Sequence, residues 1–133
     1  MAKISVLIPT YNRPEFLRLA IVSVLNQTFQ DFEIIVVDDA SWTPGTQSVT
    51  EGFADKRIKY VRHPVNRGLS AARNSGIRAA VGRYIALLDD DDEWLEEKLA
   101  RQFSVIESSP LRVGVVYTGC FYIDRLTGRT ARE

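Results

Sequence analysis

Four consecutive aspartates, Asp89, Asp90, Asp91 and Asp92, follow the apolar run "YIALL" in the segment "YIALLDDDDEWL" at positions 84–95. A buried strand tolerates no unpaired charge. Carboxylates ~4 Å apart repel by about 1 kcal/mol in water and about 4 kcal/mol at an effective dielectric near 20. The chemistry that suits such a run is the holding of a cation, since Asp oxygens are hard donors matched to Mg2+ or Mn2+. The run therefore points to a neutralising group from outside the chain. A plainer use is also open, because aspartate after a strand often caps the next helix, and Asp92 is placed to do so.

Three other segments carry chemistry: "PTYNR" (9–13), "DDAS" (38–41) and "NRGLSAARN" (66–74). "PTYNR" and "DDAS" follow short β-branched runs, as the aspartates do, and "NRGLSAARN" opens a helical period. In an open parallel sheet, ligands bind beyond the carboxyl ends of the strands. One sheet edge then gathers Thr10, Tyr11, Arg13, Asp39, Arg73 and the aspartates. Arginine suits phosphate, and a carboxylate on a separate strand can accept hydrogen bonds from a base or a ribose. Metal, phosphate and nucleoside together describe a nucleoside diphosphate. Each piece has a structural alternative. Tyr11 and Asn12 fit a turn, the Asp38–Asp39 pair fits a strand end, and Arg73 can snorkel from an apolar helix face. His63, just before Pro64, reads as a loop residue, and Trp94 as a core anchor for the helix after it.

The elements that must position these residues alternate, which predicts an α/β fold with a mostly parallel, Rossmann-like sheet flanked by helices. "ISVLI" (4–8) is a buried strand ended by Pro9. "RPEFLRLAIVSVLNQ" places Leu17, Ala20, Ile21, Val24 and Leu25 on one helical stripe, with Pro14 in the first turn. "FEIIVVDDAS" is a second buried strand that stops at Asp38 and Asp39, and "SWTPGTQSVTEGF" holds a loop and a weak helix. "RIKYVRHP" alternates as a half-exposed third strand. "GLSAARNSGIRAAVG" returns to the helical period through Leu69, Ala72, Gly76, Ile77 and Ala80, with Gly82 as its C-terminal cap. "RYIALL" is the fourth strand. "EWLEEKLARQFSVIE" is a helix with Leu95, Leu99, Phe103 and Ile106 on one side, its acids early and its bases late as the helix dipole favours. "RVGVVYTGCFYID" gives one or two more strands, and the tail "RLTGRTARE" is polar and unpatterned, as if the chain stops rather than finishes.

The 133 residues suit a single domain, 1–133. Seventeen basic residues balance seventeen acidic ones, so no global field favours nucleic acid or an anionic membrane. The apolar runs are too short to span a bilayer, and the N-terminus lacks the length and cleavage site of a signal peptide. Cys120 is the single cysteine, which excludes an internal disulfide, agrees with a reducing cytoplasm and suggests a small buried residue.

Taken in order, "ISVLIPTYNR", "SVLNQTFQDFEIIVVDDAS", "NRGLSAARNSGI" and "GRYIALLDDDDEW" resemble the N-terminal, donor-binding half of a family 2 glycosyltransferase with the GT-A fold. The likeness runs to about Tyr117. It implies a nucleotide-sugar donor, a divalent cation (Mn2+ or Mg2+) and inverting transfer of a sugar to an acceptor hydroxyl in polysaccharide or glycoconjugate biosynthesis. Carried over residue by residue, it puts Thr10, Tyr11 and Arg13 around the base and diphosphate, Asp39 on the nucleobase (uracil by family habit, hence UDP), and Arg73 near the nucleotide. In the Asp-x-Asp pattern Asp89 faces the ribose or a metal-bound water and Asp91 is the direct metal ligand. Asp90 is the middle residue, with a one-residue ambiguity of register between Asp90 and Asp91. The acceptor, whether glycan, lipid or protein, is not implied. A cytoplasmic site of action follows, with peripheral association of a full-length protein at the inner face of the membrane left open.

Two departures stand out. Glu96 occupies a place where the family often has proline. The family's catalytic base lies further along than Glu133, and Asp124 is the only acid near a late strand end, so the chain reads as a donor-binding fragment that is inactive alone. Three other readings compete. A receiver-type Mg2+-binding signalling domain wants its acid pair after strand one, where "PTYNR" stands. A nucleotidyltransferase of related architecture wants a glycine-rich loop there. A binding module without catalysis keeps the donor residues and needs nothing further.

Overall fold

The computed structural model describes residues 2–110, 113–124, 127 and 130–132. It forms two compact units, Met1–Leu99 and Ala100–Glu133. The first is built on a four-stranded, all-parallel sheet of β1 (Ile4–Thr10), β2 (Phe32–Asp38), β3 (Ile58–Arg62) and β4 (Tyr84–Leu87) in the order β3-β2-β1-β4. Helices α1 (Pro14–Leu25), α2 (Thr46–Gly52) and α3 (Leu69–Ala79) connect the strands, and α4 (Lys98–Ser108) follows β4.

β1 and β2 are buried along their whole length, as continuous apolar runs between two helical layers require. Alternate residues face opposite layers. Leu7, Ile35 and Val37 form one cluster with Ala72 of α3, and α1 buries Leu17, Ala20, Ile21 and Val24. Gly76 is what lets α3 lie close to the sheet, because a Cβ there would stand 3.1 Å from Leu7 Cδ1. That close approach fixes the height of Arg73, one turn earlier on the same helix.

Several sequence expectations change. β1 runs through Pro9 to Thr10, because β4 pairs only with Ile4–Leu7 and leaves one flank of β1 free of the ladder where Pro9 lacks its N–H. On α3 only Ala72 and Gly76 are buried, while Leu69 and Ile77 are exposed. Gly82 is not the helix cap; Ala80 is, in extended conformation. Gly82 instead presses on β1, where an added Cβ would meet Ser5 N at 2.7 Å. α4 begins at Lys98, five residues later than the periodicity suggests, and Leu95 is 73% exposed. The reason is local. The side chain of Gln27 donates to Leu95 O (2.9 Å) and accepts from Leu99 N (2.9 Å), and Thr28 N donates to Glu96 O (2.8 Å). These bonds hold the preceding segment against the end of α1, so Glu93, Glu96 and Glu97 precede the helix.

In the second unit, β5 (Phe121–Ile123) pairs antiparallel with β6 (Thr130–Arg132), a strand in the tail where the sequence shows no pattern. Residues 113–120 form no strand, and Cys120 is exposed rather than buried. Residues 125, 126, 128, 129 and 133 of the tail lie outside the described residues. Among the described residues no helix is long and apolar enough to cross a membrane.

Glu33 ties the lower end of the sheet together. Its carboxylate accepts from Ser5 Oγ (2.5 Å), Val81 N (2.8 Å) and Lys59 Nζ (2.7 Å). Burial pushes its pKa up, but the Lys59, Ser5 and Val81 hydrogen bonds outweigh that and leave it lowered. A depressed carboxyl contributes stability that is complete above its unfolded pKa of ~4.3 and is lost as pH falls through the folded value. Glu33→Gln is therefore expected to cost about 1–3 kcal/mol at neutral pH and to flatten the acid limb of a pH–stability curve measured by circular dichroism. An acid limb as steep as that of the parent would contradict this role.

Candidate functional site

Strand order reverses direction between β1 and β4, so the loops after them part and leave a crevice at the carboxyl edge. The loop after β1 carries Tyr11, Asn12 and Arg13, and the loop after β4 carries the four aspartates. Asn12 holds the first loop in place from a left-handed backbone (φ 57°), a conformation asparagine tolerates better than most residues. Its Oδ1 accepts from Trp42 N (2.9 Å), Thr43 N (3.1 Å) and Thr43 Oγ1 (3.1 Å), and its N–H donates to Ser41 Oγ (2.9 Å). The loop after β1 is thus clamped to the loop after β2, with the Tyr11 ring half-exposed beside it.

The aspartates do not converge on a common point. Asp90 turns inward, 6% exposed, and accepts from Thr10 Oγ1 (2.7 Å), Arg13 Nη1 (3.3 Å) and the Tyr11 N–H. Burial raises its pKa, helped by the neighbouring Asp91 charge and opposed by the Thr10 and Tyr11 hydrogen bonds and the Arg13 charge. Asp91 pairs with the same Arg13 Nη1 at 2.8 Å, and Asp89 pairs with Arg73 Nη2 at 2.6 Å. The side chains of Asp91 and Asp89 stay open to solvent, 51% and 44% exposed. Asp92 caps no helix, since α4 starts at Lys98; burial, then Asp91 and Asp89, raise its pKa. Among the described residues no group of three or more side chains forms a ready metal cage. The chain itself offsets part of the charge, through the guanidinium groups of Arg13 and Arg73.

Arg73 has a second feature. Its Nε is buried and has no hydrogen-bond partner, an orphan donor on a guanidinium already paired with Asp89.

Asp39 sits on the other flank, at the end of β2. It is 4% exposed and accepts from His63 Nδ1 (2.6 Å), Arg67 N (2.9 Å) and Gly68 N (2.7 Å). Burial pushes its pKa up, and these three hydrogen bonds together bring it below the usual carboxylate range. Asp38, its neighbour, points elsewhere and accepts from Ser41 N (2.7 Å) and the Tyr60 hydroxyl. Sequence reasoning missed His63. It is a buried link rather than a bland loop residue, bonded to Asp39 on one side and to Ser75 Oγ (2.8 Å) on the other. The signal was a histidine placed directly at the end of the third strand.

Trp94 is only half-buried, with Lys98 Nζ 3.9 Å above its ring, so it is not the core anchor expected; burial lowers the Lys98 pKa to about 8. A cavity of about 410 Å3 is lined by Asp38 and Ser41 of the "DDAS" segment with Trp42, Thr46, Glu51 and Arg62 among others, and Thr10, Tyr11, Arg13, Asp39, Arg73 and the four aspartates do not line it.

The sequence matches the description "Glycosyl transferase family 2" over residues 5–132. It is 46% identical over 107 residues to an uncharacterized glycosyltransferase of Rickettsia conorii, covering 80% of this chain and 18% of that protein. It is 38% identical over 103 residues to the Escherichia coli UDP-Glc:alpha-D-GlcNAc-diphosphoundecaprenol beta-1,3-glucosyltransferase WfgD, covering 77% of this chain and 40% of that protein. Among solved structures, Staphylococcus aureus TarS 1-349 in complex with UDP-GlcNAc superposes with a TM-score of 0.74 at 30% identity, over 79% of this chain and 31% of that one. The mannosyltransferase PcManGT of Pyrobaculum calidifontis, in complex with GDP-Man and Mn2+, gives 0.73 at 27% identity, over 81% and 33%. The fold is that of the GT-A glycosyltransferases. The chain belongs to glycosyl transferase family 2 and spans less than half the length of each of these relatives.

The clamp at Asn12 generates a prediction. Asn12→Ala loses three acceptor contacts and strains the backbone, so it is expected to lower stability by about 1–3 kcal/mol in thermal or urea unfolding. Unchanged stability would show that the two loops hold their positions without it.

Proposed function

We propose that this chain, residues 1–133, is the donor-binding portion of an inverting glycosyltransferase that takes its sugar from a nucleoside-diphosphate donor, with UDP favoured, and passes it to an acceptor hydroxyl. One observation carries the reading. Beyond the switch point of a parallel sheet, Arg13 pairs with Asp91, Arg73 pairs with Asp89, and the Tyr11 ring is open to solvent. Two cations already facing two carboxylates can exchange partners with a diphosphate and a divalent ion without leaving any charge alone. The complexes with UDP-GlcNAc and with GDP-Man and Mn2+ seen for two relatives support the ligand class.

In this reading Arg73 turns its free Nε and Arg13 its guanidinium toward phosphate oxygens. Tyr11 provides a flat face for the base, Asp39 accepts an N–H of the base, and Asp90 with Thr10 keeps the two loops in register. The donor set fits Mn2+ or Mg2+: Asp91, with Asp89 beside it, offers solvent-facing hard oxygens, while buried Asp90 is occupied by the loop after β1. A divalent ion held there supplies Lewis-acid stabilisation of the departing diphosphate. The catalytic base and the acceptor site are assigned to parts of the longer relatives that this chain does not span. The acceptor is therefore left as a glycan, a lipid or a protein, and action at the cytoplasmic face of the membrane is part of the same proposal.

Calorimetric titration of the chain with UDP tests the assignment. Binding is expected to require Mn2+ or Mg2+ and to weaken roughly 10- to 100-fold in Asp91→Ala, the range for losing one charged interaction. Equal affinity in the presence of a chelator would remove the metal from the account. Sugar transfer by the chain alone is expected to be absent, and turnover with any acceptor would place the base within these residues.

A further inference from the structure

The hydrogen bonds around Asp39 can be counted. An ionised carboxylate has about four acceptor positions, two on each oxygen. Oδ1 takes two donors, His63 Nδ1–H and the Arg67 N–H, and Oδ2 takes one, the Gly68 N–H. Among the described residues a single acceptor position remains, on Oδ2. The direction of the chain feeding Oδ1 is also fixed. An ionised Asp39 cannot donate, so Nδ1 of His63 carries the proton. In the Nδ1–H tautomer Nε2 accepts from the Ser75 hydroxyl, which in turn accepts from Arg78 Nη2 (3.1 Å). His63 and Asp39 are both almost fully buried, so little water competes for these bonds.

We infer that His63 is a positioning residue that sets nucleobase preference by occupying Oδ1 of Asp39. The inference rests on the reading that Asp39 receives the base. Uracil presents one N–H, at N3, between two carbonyl acceptors, and needs only the one open position on Oδ2. Guanine presents N1–H and an N2 amine side by side, a pair that docks on a carboxylate through both oxygens at once. With Oδ1 filled, guanine gains one of those two bonds and leaves the other donor unpaired, which costs more than the bond is worth. Cytosine and adenine each set a ring-nitrogen acceptor directly beside their amine donor, and a carboxylate repels that nitrogen. The loop after β3 thus limits Asp39 to bases with a single N–H.

The test compares Mn2+-dependent binding of UDP and GDP by calorimetry in the parent chain and three variants. The parent is expected to favour UDP. His63→Leu cannot donate and frees Oδ1, so the UDP-to-GDP affinity ratio is expected to fall about tenfold, the worth of one hydrogen bond to a charged group. His63→Asn, whose amide can stand in for Nδ1–H, is expected to restore it. A merely structural role for His63 would weaken both nucleotides by the same factor and leave the ratio unchanged, and that result overturns the inference. Asp39→Asn separates the two levels: if it alters neither affinity, the base does not meet Asp39 and the underlying reading fails as well. His63 is the chain's one histidine, so its ring 15N signals are unambiguous. They are expected to report the Nδ1–H tautomer in the parent chain, and the Nε2–H tautomer would overturn the inference even if the variants did not fold.

Discussion

The arrangement at the crevice depends on charge compensation between two arginines and the acidic run after β4. Without Arg13 and Arg73, Asp89, Asp90 and Asp91 would follow a half-exposed strand with only the Thr10 hydroxyl and the Tyr11 N–H, both on Asp90, to offset their charge. The pairs differ in strength by location. Those of Asp89 and Asp91 are half-exposed, and such pairs are worth only about 0–1 kcal/mol. Asp90 itself is buried, and it adds the Thr10 hydroxyl and the Tyr11 N–H to its Arg13 contact. One acid therefore fastens the loops together, while its neighbours are held lightly enough to change partners.

That difference explains how the fold accommodates a run of carboxylates. The strand delivers the acids, the switch point brings the loop after β1 within reach, and Gly76 sets α3 low enough for Arg73 to approach from the opposite side. On the other flank, Asp39 is kept ionised by donors from the loop after β3 rather than by arginine. One end of the crevice is thus exchangeable charge, and the other is a fixed acceptor. A nucleoside diphosphate has the same two-part character.

Much of this was legible in the sequence. The β-branched runs gave the parallel sheet, the period of Leu17, Ala20, Ile21 and Val24 gave α1, and the rule of strand carboxyl ends gathered Thr10, Tyr11, Arg13, Asp39, Arg73 and the aspartates on one edge. What the sequence hid was set by tertiary contacts. The late start of α4 depends on Gln27, 71 positions before Lys98. Gly82 looked like a cap and is instead a point of close approach to Ser5. The partners of each aspartate could not be read from four identical neighbours, since burial singles out Asp90 and the reach of two distant arginines divides the rest. His63 was passed over because its role exists only where β3, α3 and the end of β2 meet.

The most direct measurement of the central claim is a crystal structure of the chain with UDP and Mn2+, with the ion located by its anomalous signal. The exchange described above predicts Mn2+ on Asp91, with the Arg13 guanidinium swung from that carboxylate to the diphosphate and Asp90 still bonded to Thr10. An Arg13–Asp91 pair left intact beside bound nucleotide, with the ion elsewhere, would contradict it.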